Sequence, residues 1–193
     1  MFLTVLKMTR DSILSSNNVL NLNSTNSVHK WLLEQQDTHR VDGKILYKIL
    51  NTKNEIFVYI QSKDKFNVSN IEDRGFVFVK EVTLPMVTNG NMYDFDVQTC
   101  PNHTKDDKRC FIIDPNQRLS WVQEQFRKHG IILYTCTEYK NAPITIDKDK
   151  KQKVPTTSYR GKFYVENQEL AQEFIENGIG RLKNYGCGLI LYK

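Results

Sequence analysis

The residues best suited to acid–base chemistry are the four histidines, and His29 is the strongest candidate among them. It falls in the stretch SVHKWLLEQQ, whose apolar spacing predicts a helix with one buried side. The predicted stripe contains Val28, Trp31 and Leu32, and His29 lies beside it, so the imidazole ring can face the surface. The nearby helix N-terminus favours the neutral imidazole, which can act as a base in proton transfer.

A glycine-rich stretch, GIGRLKNYGCG, is a second candidate site. Successive backbone N–H groups in such a loop can form an anion-binding nest, and Arg181 and Lys183 add positive charge beside it. Tight packing of the turns is the alternative, and the spacing alone does not decide. The stretch matches neither a P-loop nor a dinucleotide fingerprint, because the following residues and the strand–helix order are wrong for both. Its glycines are Gly178, Gly180, Gly186 and Gly188.

A third candidate is the charged stretch NAPITIDKDKKQKVPTTSYRGK, which lies between two predicted strands. A basic hairpin or arm of this kind can neutralise the phosphates of a nucleic acid. A solvated, mobile loop is the alternative. The cations of the stretch are Lys148, Lys150, Lys151, Lys153, Arg160 and Lys162.

The cysteines and histidines give only a partial metal site. Without a secretory signal, the four cysteines are expected to be reduced thiols. Cys100, His103 and Cys110 could contribute to a zinc site, but a structural site needs four ligands at recurrent spacings. We therefore expect no metal and no small-molecule cofactor, and keep a zinc-dependent nucleic-acid protein as a weaker alternative.

The charge distribution favours a polyanionic partner. The net charge is +5; residues 1 to 100 contain 11 basic and 11 acidic side chains, whereas residues 101 to 193 contain 16 and 11. The excess in the second half is typical of a surface that faces nucleic acid, although a charge of this size also serves solubility alone. The opening apolar run ends at Lys7, and no later run is long enough to cross a membrane. We expect a cytoplasmic protein with no membrane partner.

The elements that must position these residues form two similar series. The first half is predicted to be strand, helix and three strands, and the second half β-α-β-β-α-β. Pro85 and the turn residues TNGN mark the boundary, which gives domains at 1–86 and 91–193. The fold class is therefore α+β, with two tandem ferredoxin-like (βαββαβ) domains.

The last predicted helix is the best delimited. Asn167 is its expected N-cap, and Gly178 is expected to end it. Leu170, Phe174 and Ile175 are predicted to form its buried side.

Four motifs, in order along the chain, resemble those of one family. SVHKWLL is similar to an early His-x-x-Leu helix motif, YDFDVQTCP to a strand motif ending in Asn-Pro, and LSWVQEQFRKHG to a Trp-bearing helix. GIGRLKNYGCGLIL is similar to the signature Gly-Ile-Gly-x-x-Lys-x-x-Gly-Cys-Gly-Leu, the most specific of the four. The sequence thus resembles, nearly end to end, the CRISPR-associated repeat-processing endoribonucleases of the CasE type. These belong to the repeat-associated mysterious protein superfamily and are subunits of the type I-E Cascade complex.

The resemblance implies two ferredoxin-like domains and an activity on RNA. Such proteins bind the stem-loop of the CRISPR repeat, cleave the precursor transcript without a metal, and retain the product with the other Cascade subunits. The ribose 2′-hydroxyl attacks the adjacent phosphate and leaves a 2′,3′-cyclic phosphate and a 5′-hydroxyl. The family histidine that assists proton transfer maps to His29. Lys183, Arg181 and Lys30 are candidates to stabilise the developing charge, and the basic stretch is expected to grip the stem.

The sequence departs from the family pattern at three positions. Asn26 stands where some relatives have a tyrosine three residues before the histidine, Cys100 replaces the Asn of Asn-Pro, and Leu33 replaces a frequent tryptophan. The first departure leaves a non-catalytic RNA-binding subunit of the same fold as the alternative function.

Overall fold

The computed structural model describes residues 1–15, 20, 22, 24–36, 45–69, 71–147 and 152–193. Two compact units account for the chain. The first comprises Met1–Leu84, Thr145–Gln152 and Asn184–Gly186, and the second Pro85–Ile144, Lys153–Lys183 and Cys187–Lys193. Whereas the expected domains are contiguous, the first unit also includes two segments from late in the chain. Turn signals mark a boundary along the sequence, but they contain no information about such long-range packing.

The first unit is built on a four-stranded antiparallel sheet in the order β2-β3-β1-β4. Its strands are β1 (Phe2–Thr9), β2 (Leu46–Asn51), β3 (Glu55–Ser62) and β4 (Val77–Thr83), and its helices are α1 (Arg10–Ser15) and α2 (Thr25–Gln36). A single 3₁₀ turn, Glu72–Arg74, precedes β4 in place of a second long helix.

The core of the first unit confirms the predicted helical stripe. Val28, Trp31 and Leu32 are all buried on α2. The indole ring of Trp31 stacks on Phe76, with ring centroids 5.0 Å apart. The apolar side of α2 therefore covers one face of the sheet and fixes the rotation of the helix about its axis.

The second unit repeats the same strand order on a larger scale. Its sheet runs β10-β5-β9-β8, which places the strands in the same spatial order, fourth-first-third-second, as in the first unit. Both units thus have the ferredoxin-like topology, which confirms the predicted fold class. The elements are β5 (Met92–Thr99), β6 (Asn102–Lys105), β7 (Lys108–Phe111), α3 (Pro115–Arg127), β8 (Ile131–Asp147), β9 (Gln152–Val165), α4 (Gln168–Asn177), a 3₁₀ turn (Lys183–Tyr185) and β10 (Ile190–Tyr192).

The sequence pattern predicted the N-cap of helix α4 and part of its buried side. The Asn167 side chain accepts a hydrogen bond from the Leu170 backbone N–H, which confirms the predicted N-cap. The predicted buried side was partly wrong, because Leu170 is 43% exposed and Ala171 is fully buried beside Phe174 and Ile175. Ala171 is three residues from Phe174 and four from Ile175, so these three side chains share one side of α4. Leu170 is five residues from Ile175 and lies toward the edge of that side.

Two elements were not predicted. The helix α1 is only six residues long, and the short hairpin β6–β7 is inserted between β5 and α3. In addition, the described part of the predicted polar excursion is strand, since β8 and β9 extend through most of it. No helix in the described part of the chain has the length and apolar character needed to span a bilayer.

Candidate functional site

Two hydroxyl side chains hold the N-terminus of α2 in the first unit. Ser24 donates a hydrogen bond to the carbonyl oxygen of Ile146 at 3.3 Å, and Thr25 donates one to that of Thr145 at 3.2 Å. Both carbonyls belong to the last residues of β8. The end of this strand therefore lies along the first turn of α2.

The His29 ring is buried, which corrects the expectation that it faces the surface. Only 7% of the residue remains exposed. His29 follows Thr25 by one helical turn and shares its side of α2, the side that bonds to Thr145, 120 residues further along the chain. The local pattern placed His29 beside the apolar stripe, but it could not reveal that so distant a segment bonds to the first turn of the same helix.

Tyr47 ties the glycine-rich stretch to the same helix. Its side chain is fully buried, and its hydroxyl donates to the carbonyl oxygen of Thr25 at 2.9 Å and lies 3.3 Å from that of Asn184. A Cβ on Gly186 would lie 3.1 Å from the Tyr47 ring, so a glycine lets the loop approach the ring closely. The strand pattern predicted that this tyrosine is buried, but it gave no sign of the hydroxyl's two partners.

The remaining glycines favour the packing interpretation of the stretch. All four have positive φ, from +70° at Gly178 to +89° at Gly188. The N–H of Gly178 donates to Phe174 at the end of α4, and the N–H of Ile179 donates to the carbonyl oxygen of Gly188 at 2.9 Å. The N–H of Gly188 in turn donates to Gln98 at 2.7 Å. These three amides are occupied by protein carbonyls and are not available to an anion.

The cations of the stretch remain candidates for anion binding. Arg181 is exposed and Lys183 is half-buried. Leu182 between them has φ of +61°, a left-handed backbone conformation that residues other than glycine rarely adopt. This reversal fixes the directions in which the two neighbouring cations leave the backbone.

The predicted basic arm is partly described. Lys153 is exposed on β9. Lys148, Lys150 and Lys151 lie outside the described residues, so their expected RNA contacts stay predictions.

Arg160 and Lys162 are exposed but have partners on the sheet of the second unit. The Arg160 guanidinium lies 5.3 Å from the centre of the Tyr139 ring, and the Lys162 Nζ lies 3.7 Å from the Asp94 carboxylate. The Tyr139 hydroxyl donates to Asp96 at 3.0 Å, and burial, followed by the Asp96 charge, raises the pKa of Tyr139 to about 12. The phenol therefore stays a neutral donor, and Arg160 stacks on a fixed ring.

The partial zinc site does not come together. His103 and Cys110 face each other as register partners in the hairpin β6–β7. Within the ranges that the structure describes, however, no three His, Cys, Asp or Glu side chains form a group that could hold a metal ion. The zinc alternative therefore lacks a ligand set there.

Solved structures share this two-unit fold along the whole chain. The CRISPR endoribonuclease Cse3 bound to a 19-nucleotide RNA is 16% identical, covers 100% of both chains and has a TM-score of 0.84. The Thermus thermophilus Cse3 bound to an RNA representing a pre-cleavage complex is 13% identical, with the same coverage and a TM-score of 0.83. A chain of the Escherichia coli Cascade bound to a PAM-containing double-stranded DNA target is 14% identical, covers 100% of this chain and 98% of that one, and has a TM-score of 0.62.

Of the two sequence comparisons, the one with family models agrees with the structural matches. Curated protein sequences contain no significant match to the chain. The model of one family, described as CRISPR associated protein, matches residues 1–193 and confirms the resemblance drawn from the four motifs. The chain therefore belongs to the CRISPR-associated protein family.

Proposed function

We propose that this protein is an endoribonuclease that binds the stem-loop of a CRISPR repeat and cleaves the precursor transcript without a metal. The observation that carries the proposal is the full-length match in fold to Cse3, an endoribonuclease solved with RNA bound. The family match and the basic second half of the chain support it. The match to a Cascade chain supports retention of the product among the other Cascade subunits.

The proposed reaction is an internal transesterification. The ribose 2′-oxygen forms a bond to the adjacent phosphorus while the bond from phosphorus to the 5′-oxygen breaks. The 2′-hydroxyl loses its proton and the leaving oxygen gains one, so the products are a 2′,3′-cyclic phosphate and a 5′-hydroxyl. His29 is the proposed residue for one of these proton transfers, because a neutral imidazole accepts a proton and an imidazolium donates one near neutral pH.

The burial of His29 defines how the substrate must meet it. With only 7% of the residue exposed, the ribose must lie directly against His29 for a proton to be transferred. Lys30, the next residue on α2, is exposed and is the nearest candidate in sequence to meet the phosphate charge. A buried base and an exposed cation in adjacent positions suit a reaction on a backbone phosphodiester.

The test compares cleavage with binding in the same variant. We expect His29→Ala to abolish cleavage of a labelled repeat hairpin in chelator and to leave the affinity for the hairpin nearly unchanged. Glu34→Ala is the control on the same helix, because Glu34 is exposed on α2 and belongs to none of the candidate sites. A 2′-deoxy sugar at the cleavage position must also block the reaction. Full activity of His29→Ala in chelator would reject the assignment.

A non-catalytic RNA-binding subunit is the second candidate. Two observations favour it: Asn26 replaces a tyrosine of some relatives, and His29 is buried. In that case the wild-type protein retains the hairpin but yields no product with a cyclic phosphate. Incubation of purified protein with labelled hairpin separates the two functions.

A further inference from the structure

The unpredicted hairpin β6–β7 presents one face to a cleft in the second unit. Asp106 and Asp107 form its turn, with φ of +49° and +57°, as expected for a type I′ hairpin turn. Thr104 pairs with Arg109 across the two strands. Together with Asn102, these two side chains line a cleft of about 590 Å³.

The glycine-rich stretch also lines this cleft. Arg181 and Lys183 belong to its lining, as do Trp121 and His129 of the α3 region. Glu173 of α4 is the acidic side chain in the lining. The cleft therefore brings three cations and a histidine together against one carboxylate.

A second cleft shares the same two arginines. Its volume is about 310 Å³, and it is lined by Arg109 and Arg181 together with Val154 and Pro155 at the start of β9. The two arginines thus lie where the two clefts adjoin. Between them, the two clefts are lined by residues of the hairpin β6–β7, the glycine-rich stretch and the start of β9.

The arginines of the second unit differ in whether they are paired. Arg118 forms an ion pair with Glu138, Arg127 forms one with Glu124, and Arg160 stacks on an aromatic ring. In contrast, the side chains of Arg109 and Arg181 make no hydrogen bond or ion pair with any residue that the structure describes.

Unpaired guanidinium groups in one groove are suited to a phosphate. Each guanidinium offers five N–H donors in a planar fork that matches the oxygens of a phosphate, and it does not lose its charge in proteins. Both clefts are open to solvent at Arg109 and Arg181, because both residues are exposed.

We propose that Arg109 and Arg181 together clamp a backbone phosphate of the bound RNA, so that the hairpin β6–β7 is a second RNA-binding element beside the basic arm. The proposal rests on the proposed function, since the RNA is the repeat hairpin. It adds to the predicted site a residue, Arg109, that no motif indicated. The contact reads no base, because a phosphate is common to all nucleotides.

The experiment measures affinity for the repeat hairpin over a series of salt concentrations. We expect Arg109→Gln and Arg181→Gln each to weaken binding about tenfold at moderate salt and to reduce the slope of log K against log salt by about 0.7–0.9. Arg127→Gln is the matched control, because Arg127 is already paired on the surface of α3. If one phosphate bridges both residues, the double variant loses little more slope than either single variant.

A methylphosphonate scan of the hairpin locates the contact. One neutral linkage is expected to weaken binding to the wild type and to have no further effect on Arg109→Gln. Equal affinity and slope for Arg109→Gln and Arg127→Gln, or a neutral linkage that affects both variants alike, would overturn the clamp. If instead the wild type fails to bind the hairpin at all, the proposed function fails rather than the clamp.

A second measurement needs no substitution of the arginines. Cys110 is exposed and lines the smaller cleft with Arg109. Carboxymethylation with iodoacetate adds a negative charge there, whereas carbamidomethylation with iodoacetamide adds a neutral group of similar size. We expect the charged adduct to weaken hairpin binding several-fold more than the neutral adduct. Equal effects of the two adducts would contradict a phosphate beside Arg109.

Discussion

Arg118 of α3 donates two hydrogen bonds to the carboxylate of Glu138 on β8, at 2.6 and 3.0 Å. Arg118 is only 3% exposed, and it also donates to the carbonyl oxygen of Ile112 at the end of the hairpin β6–β7. One buried guanidinium thus joins the helix, the sheet and the inserted hairpin of the second unit. The proposed phosphate clamp depends on these hydrogen bonds, because they hold the end of β7, the strand that carries Arg109.

Removal of Arg118 is expected to destabilise the second unit. Arg118→Met should lower the free energy of unfolding by about 3 kcal/mol, because it leaves the Glu138 carboxylate partly buried without its partner. Urea denaturation measures the loss. The double variant Arg118→Met/Glu138→Leu should recover part of it, and a loss below about 1 kcal/mol in the single variant would show that the pair contributes little.

The hydroxyl of Thr25 is expected to matter for both stability and cleavage. Thr25→Val removes the hydrogen bond to Thr145 and should cost about 1 kcal/mol, whereas Thr25→Ser keeps the donor. Because this hydrogen bond holds the first turn of α2, one turn before His29, single-turnover cleavage should fall more in Thr25→Val than in Thr25→Ser. Identical cleavage rates would show that the bond from Thr25 to Thr145 does not position the ring.

Gly188 is expected to tolerate no side chain. It has φ of +89°, and an added Cβ would lie 2.7 Å from the Ile179 carbonyl oxygen. Gly90 is the matched control, since it has φ of +80° with nothing within 4 Å of an added Cβ. Gly90→Ala should therefore cost about 1–2 kcal/mol for the left-handed backbone alone, and Gly188→Ala about 1–3 kcal/mol more. Thermal unfolding of the two variants decides the comparison, and equal losses would refute the close packing.

The four thiols are expected to differ in reactivity. Cys110 is exposed, whereas burial raises the pKa of Cys136 to about 11. At pH 8 only about one Cys136 side chain in a thousand is then a thiolate, the reactive form. Ellman's reagent should detect a single fast thiol in the native protein, and Cys110→Ser should remove it. A fast phase that survives this substitution would contradict the assignment.

The raised pKa of Cys136 also predicts that the free energy of unfolding falls at alkaline pH. The raised pKa of Cys136 means that the folded protein binds this proton more tightly than the unfolded chain does. Its contribution to stability is present below about pH 9 and is lost as the pH rises through about 11. The loss adds to the alkaline destabilisation expected from the buried tyrosines.

Local patterns predicted the scaffold and the chain order of its elements. The spacing of Val28, Trp31 and Leu32 fixed the buried side of α2, because helical periodicity is a property of neighbouring residues. The Asn167 cap was predictable for the same reason. The hairpin β6–β7 was missed, since its Asp106–Asp107 turn lacks the glycine that usually marks a type I′ turn.

The arrangement of the candidate site was less predictable. The motif singled out His29, but not its burial, which depends on contacts between residues far apart in the sequence. The pairing state of the arginines was likewise hidden: Arg109 and Arg118 have the same chemistry, and only the fold gives one of them a carboxylate partner. Composition indicated a basic second half without showing which cations are already neutralised.

The late segments that belong to the first unit have a consequence for biosynthesis. Residues 145–147 and 184–186 belong to the first unit, although they follow its last strand by about sixty residues or more of chain. A nascent chain that has released α2 from the ribosome still lacks both segments. The carbonyl groups that accept hydrogen bonds from Thr25 and Tyr47 therefore become available only after most of the chain has been synthesised, so the first unit is completed late in translation.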